Sequence, residues 1–199
     1  VYFDVFLPSK NLLANSKNKK THVKVTDWCT KNKNPSGKIV EILGSPDNYE
    51  TAINSILIDR NVSSKFKEEV EKKALSISRK ITKKEISNRL DIRKTLTFTI
   101  DPEDAQDFDD AISIKKTKSS LWEIGIHIAD VSHYVKPGDI IDKEAFNRGT
   151  STYLVDRVIP MLPEFLSNDL CSLKPNFDRL CFSIIFEIDE TAKISSYKI

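Results

Sequence analysis

Apolar residues recur with period two in several short runs and at helical spacing in the segments between them. Val1, Phe3, Val5 and Leu7 alternate with Tyr2, Asp4 and Phe6, which predicts a strand stopped by Pro8. A second strand is predicted over 22–28, with Val23 and Val25 on one face, and a third over 37–44 between two glycines. Short strands joined by basic loops suggest part of a β-barrel of the OB or cold-shock type, whose other strands are expected before Val1. Ala52, Ile53, Ile56 and Leu57 then predict a helix over 49–59. A second helix is predicted over 63–81. Phe66, Val70, Ala74, Leu75 and Ile77 line one side, and Lys67, Glu68, Glu71, Lys72 and Lys73 the other. Glu68 and Lys72 stand as an i,i+4 pair. Thr82 followed by Glu85 reads as a capping box that opens a short helix to about Leu90.

From Thr95 the period returns to two. Leu96, Phe98 and Ile100 share one face of a strand that delivers Asp101, and strand character resumes over 111–114. Trp122, Ile124, Ile126 and Ile128 alternate with Glu123, Gly125, His127 and Ala129. A helix is predicted over 141–148, ended by Gly149, and a shorter one from Glu164 with a turn at Ser167-Asn168-Asp169. Leu180, Phe182, Ile184, Phe186 and Ile188 form an alternating core strand, and residues 193–199 start another. The fold class is α+β: a partial OB/cold-shock barrel over 1–60, a helical connector over 61–94 and a mixed α/β domain over 95–199.

Composition narrows the picture. The chain is 39% hydrophobic and 30% charged, the balance of a globular domain, and no apolar run approaches membrane-spanning length. The N-terminus carries neither Met nor a signal-peptide pattern, so a piece of a longer cytoplasmic protein is expected. Cys29, Cys171 and Cys181 match no zinc or redox spacing and read as ordinary thiols in a reducing compartment. The net charge of +2 hides an asymmetry: 20 basic against 11 acidic residues in 1–100, and 11 against 18 in 101–199. A polyanion gripped by one half and cut by the other would suit that division; a Lys-rich compositional bias is the plainer alternative.

The most informative stretch runs from Asp101 to Ala111, where six of the eleven residues are acidic: Asp101, Glu103, Asp104, Asp107, Asp109 and Asp110. Carboxylates crowded between two ordered strands repel one another unless a cation sits among them. Hard oxygen donors select Mg²⁺ or Mn²⁺, often with a phosphate as shared ligand. An EF-hand is excluded, because no glycine stands at the sixth position of any such loop. Asp107-Phe108-Asp109 does not end an apolar strand, as the D-x-D of aspartyl-phosphate enzymes should. In a regular strand Asp107 and Asp109 would share a face and Asp110 oppose them, so convergence requires a bend.

The run from Ile100 to Ile112 resembles the signature of the ribonuclease II/ribonuclease R family of RNB-domain exoribonucleases. The similarity continues through the blocks 125–132, 148–153, 157–163 and 166–173, in the family's order; the ribonuclease R branch is the closer match. Residues 37–44 resemble the end of the cold-shock domain that precedes the catalytic domain. The resemblance implies processive 3′→5′ hydrolysis of single-stranded RNA to nucleoside 5′-monophosphates by a monomer, with Mg²⁺ in a two-metal mechanism. It assigns Asp101, Asp107, Asp109 and Asp110 to metal, and Asp109 with Asp107 to the chemical step. It places Tyr153 on the 3′-terminal base and brings Arg148 and Arg157 toward phosphates. It also implies a catalytic domain that continues past Ile199 to a charge-relieving arginine, so the fragment alone is expected to be inactive. A binding module without catalysis is the alternative.

Two further sets have weaker standing. Tyr2, Phe6 and Trp28 lie opposite the more apolar faces of their strands, as base-stacking platforms or as packing residues. His127 reads as a hydrogen-bonded structural residue rather than an acid–base group, and His133 has no assigned role.

Overall fold

The computed structural model describes residues 3–9, 12–28 and 34–199. The chain divides into two compact units, Val1–Lys65 and Phe66–Ile199. Among the described residues no helix is long and apolar enough to cross a membrane.

The first unit pairs β1 (Lys20–Asp27) with β2 (Ser36–Gly44) antiparallel, and α1 (Tyr49–Asp59) packs against both strands. Asn48 caps α1 by accepting from the Thr51 amide at 3.1 Å. Thr51 is buried and donates to the Leu43 carbonyl, which ties the helix back to the end of β2. Gly44, at φ +134°, lets the chain leave β2 this way; a Cβ there would strike Thr51 Oγ1.

No strand forms over residues 3–7. Phe6 makes one parallel bridge to Ser36, with Phe6 N donating to Pro35 O at 2.8 Å and Gly37 N to Phe6 O at 2.9 Å. Pro8 follows at once, and β2 begins only at Ser36, so just one residue of overlap is available. A two-stranded sheet with a helix, rather than a closed barrel, is therefore what the described residues form. Tyr2 and Cys29 lie outside the described residues.

The second unit is built on an antiparallel sheet ordered β3 (Thr97–Phe98), β4 (Asp110–Lys116), β5 (Trp122–Ala129), β8 (Cys181–Ile188) and β9 (Ile194–Lys198). Between β5 and β8 lie α4 (Val131–Tyr134), α5 (Ile140–Arg148), a hairpin of β6 (Thr152–Tyr153) and β7 (Val158–Ile159), and a π-helical turn over Leu166–Leu170. The core gathers Val70, Ala74, Ala129, Ile141, Leu162, Leu166, Leu170 and Cys171.

The helix expected over 63–81 is confined to α2 (Glu68–Leu75), which packs on α5 through Val70 and Ala74. Serines limit it at both ends. Ser63 Oγ bonds to Lys65 O, and Ser76 Oγ donates to Lys73 O, diverting backbone groups a longer helix would use. Leu75, expected in the apolar stripe, is exposed. Thr82 caps α3 (Lys83–Ser87) by accepting from Glu85 N at 3.1 Å, and the helix stops short of Leu90.

The sheet reverses one expectation about its faces. The face turned to the core carries small and polar residues: Ala111, Ser113, Gly125, His127, Ala129 and, on β8, Ile185. The apolar alternation falls on the opposite face, where Ile128 and Phe182 are 55% and 65% exposed. Register explains the choice. His127 is opposite Ala111 on β4 and Ser183 on β8, and its ring reaches the diagonal Ser113 hydroxyl. A Cβ on Gly125 would come within 2.6 Å of the His127 ring, so only glycine leaves room for it.

Candidate functional site

The acidic loop leaves the short β3 and re-enters order at β4. The strand expected over 95–100 is only Thr97–Phe98, and Ile100 is 83% exposed. Pro102 O accepts from Ala105 N at 3.1 Å, closing a turn whose exposed tip is Glu103-Asp104. Residues 105–109 then run without regular structure, so the strict alternation of a strand does not govern Asp107 and Asp109. Asp110 opens β4 opposite Ile128, and Asp109 O accepts from Ala129 N at 2.9 Å.

The loop is gripped from the far side of the chain as well. Ser172 is fully buried; its hydroxyl donates to Gln106 O at 2.8 Å and accepts from Phe108 N at 3.0 Å. Leu173 N donates to Phe108 O at 2.8 Å. Asp107 thus lies between two clamped peptide groups. Sequence reasoning placed Ser172 within a matched block but gave it no role. The available signal was a small polar residue flanked by Leu170-Cys171 and Leu173.

Asp109 feels the charges of the other three aspartates. Partial burial raises the Asp109 pKa, and the charges of Asp107, Asp110 and Asp101 add to the rise in that order. The Cys171 thiol, on the segment that grips the loop, is pushed up to about 12 by burial first and then by the charge of Asp109. A thiol so poorly ionised is inert, in keeping with its structural reading.

Among the described residues no three carboxylate, imidazole or thiol groups stand close enough to share one ion. The donor set nevertheless fits a hard divalent cation. It is all carboxylate oxygen, and desolvation first, then the charges of three neighbouring aspartates, raise the Asp109 pKa. A cavity of about 570 Å³ lies elsewhere, between Ile81, Leu90, Leu180 and Phe182, and holds none of the four aspartates.

Outside the loop the candidates separate. Tyr153 ends β6, pairs with Val158 across the hairpin and is 71% exposed. Arg157 sits at the turn closed by Leu154 N and Arg157 O, beside Asp156 at 2.7 Å. Arg148 is buried: Nε donates to Glu144 at 3.0 Å, Nη1 to Pro160 O at 3.3 Å, and the guanidinium stacks 3.7 Å over Phe66. In the first unit Phe6 and Trp28 are both exposed, and Trp28 leans on Phe3 with ring centroids 4.7 Å apart.

The histidines have structural settings. His127 is bonded at both nitrogens, to Ser183 and Ser113, and burial lowers its pKa. His133 stands 3.7 Å from Glu85. Arg89 bonds both Glu85 and Asp130, each at 2.6–2.7 Å, which links α3 to the end of β5.

The RNB domain family model matches residues 89–199, and the cold shock domain model matches 1–67. The chain belongs to the RNB family. It is 40% identical over 201 residues to ribonuclease R of Thermotoga maritima, covering 100% of this chain and 28% of that protein. It is 42% identical over 172 residues to DIS3-like exonuclease 2 of Schizosaccharomyces pombe, covering 86% and 19%. The chain thus spans about a quarter of the length of the curated relatives it matches. Among solved structures, Mycoplasma genitalium RNase R in complex with double-stranded RNA superposes with a TM-score of 0.91 at 29% identity, covering 99% of this chain and 35% of that one. The same protein has also been solved in complex with ribose-methylated single-stranded RNA. Yeast Ssd1, a pseudonuclease, shares the fold at a TM-score of 0.75 and 21% identity over 98% of this chain and 26% of its own.

Proposed function

We propose that the protein to which this chain belongs is a cytoplasmic, monomeric exoribonuclease. It degrades single-stranded RNA processively from the 3′ end and releases nucleoside 5′-monophosphates. The observation that carries the reading is the match of the RNB domain family over residues 89–199, inside which Asp101, Asp107, Asp109 and Asp110 fall on one loop between β3 and the start of β4. Four mutually repelling carboxylates in a matched RNB domain are a site built for cationic help.

Asp101, Asp107, Asp109 and Asp110 would hold Mg²⁺, or Mn²⁺, in a two-metal arrangement. When bound, such cations polarise the scissile phosphodiester and lower the pKa of an attacking water. The chain's own residues do the rest. Asp109, on which the charges of the other three act, helps hold a metal or orients the attacking water. Tyr153, exposed beside the hairpin turn, stacks on the 3′-terminal base, and Arg157 meets a phosphate. Arg148, occupied by Glu144, Phe66 and Pro160, steadies the base of the hairpin instead. Phe6 and Trp28, with Tyr2, stack bases of incoming RNA along the basic N-terminal unit.

The alternative is a binding module without turnover. It gains a fold precedent in yeast Ssd1, but all four aspartates are present here. Incubation of the full-length protein with 3′-tailed RNA, with and without Mg²⁺, separates the two. Mononucleotides that appear only with metal are expected; binding without cleavage in Mg²⁺ would overturn the catalytic reading.

A further inference from the structure

We propose that Ser172 is a positioning residue for the acidic loop. Its hydroxyl fixes the peptide frame on either side of Asp107, so that Asp107 and Asp109 stay aimed at a shared divalent cation. The proposal rests on the metal reading of the four aspartates and names a residue to which that reading gives no part.

Carboxylates held near one another push apart, and a loop of irregular backbone has no ladder to resist them. Residues 105–109 are such a loop. Their backbone groups must find partners outside it or remain free to swing. Ser172 supplies two partners with one oxygen, the donor to Gln106 O and the acceptor for Phe108 N. Leu173 N takes Phe108 O, and Ala129 N takes Asp109 O. Four backbone groups around Asp107 are thereby anchored to two other segments, and the Asp107 carboxylate between them is left for a ligand. Ser172 is 0% exposed, so no water stands ready to replace its hydroxyl.

The clamp is itself braced. Arg179 Nε donates to Ser172 O at 2.9 Å, and Arg179 Nη2 reaches Asp169 at 3.4 Å. Asp169 is also paired with Arg79 at 2.7 Å. The π-turn just before Ser172, closed by Cys171 N to Leu166 O at 2.9 Å, adds one residue to a helical turn and re-aims the chain at Ser172. Arg179 thus holds the Ser172 carbonyl directly, while Asp169, Arg79 and the re-phased turn brace the segment that presents the hydroxyl.

The test is Mn²⁺ binding to the full-length protein without RNA, read from the electron paramagnetic resonance signal of the free ion, together with thermal unfolding in metal-free buffer. Ser172→Ala is expected to raise the half-saturating Mn²⁺ concentration about tenfold, the usual scale for losing a residue that orients ligands. Ser183→Ala removes a hydroxyl bonded to His127 in the same unit. It is expected to lower the unfolding temperature comparably while shifting Mn²⁺ binding less than about twofold. Arg179→Lys loses the fork that holds Ser172 and is expected to weaken Mn²⁺ binding about threefold, which keeps the proposal testable if Ser172→Ala does not fold. Wild-type Mn²⁺ affinity in the folded Ser172 or Arg179 variants, with binding lost in Asp107→Asn, overturns the role of Ser172 alone. Unchanged binding in Asp107→Asn overturns the metal reading and this proposal with it.

Discussion

His127 Nε2 and Ser113 Oγ lie 2.8 Å apart between β5 and β4, in the interior of the sheet that carries the acidic loop. The other ring nitrogen of His127 is 2.8 Å from Ser183 Oγ on β8, so one imidazole bridges three strands. His127→Leu would leave the buried Ser113 hydroxyl without its imidazole partner and Ser183 with only the Cys181 thiol. The expected cost is ~1–3 kcal/mol of stability for the stranded polar groups. Chemical denaturation of the full-length variant measures it, and turnover per folded molecule should stay near wild type.

The same residue sets a pH dependence. Burial lowers the folded-state pKa of His127 below the ordinary 6.5, so the unfolded chain takes up the proton first as pH falls. Stability from this group is complete above the unfolded value and is lost as pH drops through 6.5 toward the lower folded value. Unfolding midpoints recorded from about pH 8 to about pH 5 should fall on the acid side, and His127→Gln should flatten that part of the slope.

Tyr153 offers its ring to solvent at the end of β6, where no core contact depends on it. Tyr153→Ala is expected to change thermal stability by less than about 0.5 kcal/mol, as for exposed positions generally. If the ring stacks on the last base, its loss should lengthen the final product. Gel analysis of end products from 3′-tailed RNA checks this; an unchanged product size removes Tyr153 from the RNA path.

The legible and illegible parts of this chain divide along physical lines. Helix α1 matches its expected bounds because an apolar stripe and the Asn48 cap act locally. The Thr82 cap was equally local, read from a hydroxyl oxygen and a glutamate three residues on. Helix α2 was overdrawn because Ser63 and Ser76 compete for the backbone at its ends. The orientation of β5 and β8 ran against the pattern, since the more apolar alternation pointed to the core while the Ser113–His127–Ser183 bridge holds the smaller and more polar residues inward. The acidic loop was visible as a cluster of charge. The grip of Ser172 on it was not, because the partners are 64 and 66 residues apart.

The central claim is that the four aspartates perform metal-assisted cleavage, with Asp109 at the chemical step. Turnover and RNA binding by full-length Asp109→Asn, measured side by side on 3′-tailed single-stranded RNA in Mg²⁺, test it most directly. The account predicts a loss of turnover of about 10³-fold or more with RNA affinity within a few-fold of wild type. Near-normal turnover in that variant would contradict it.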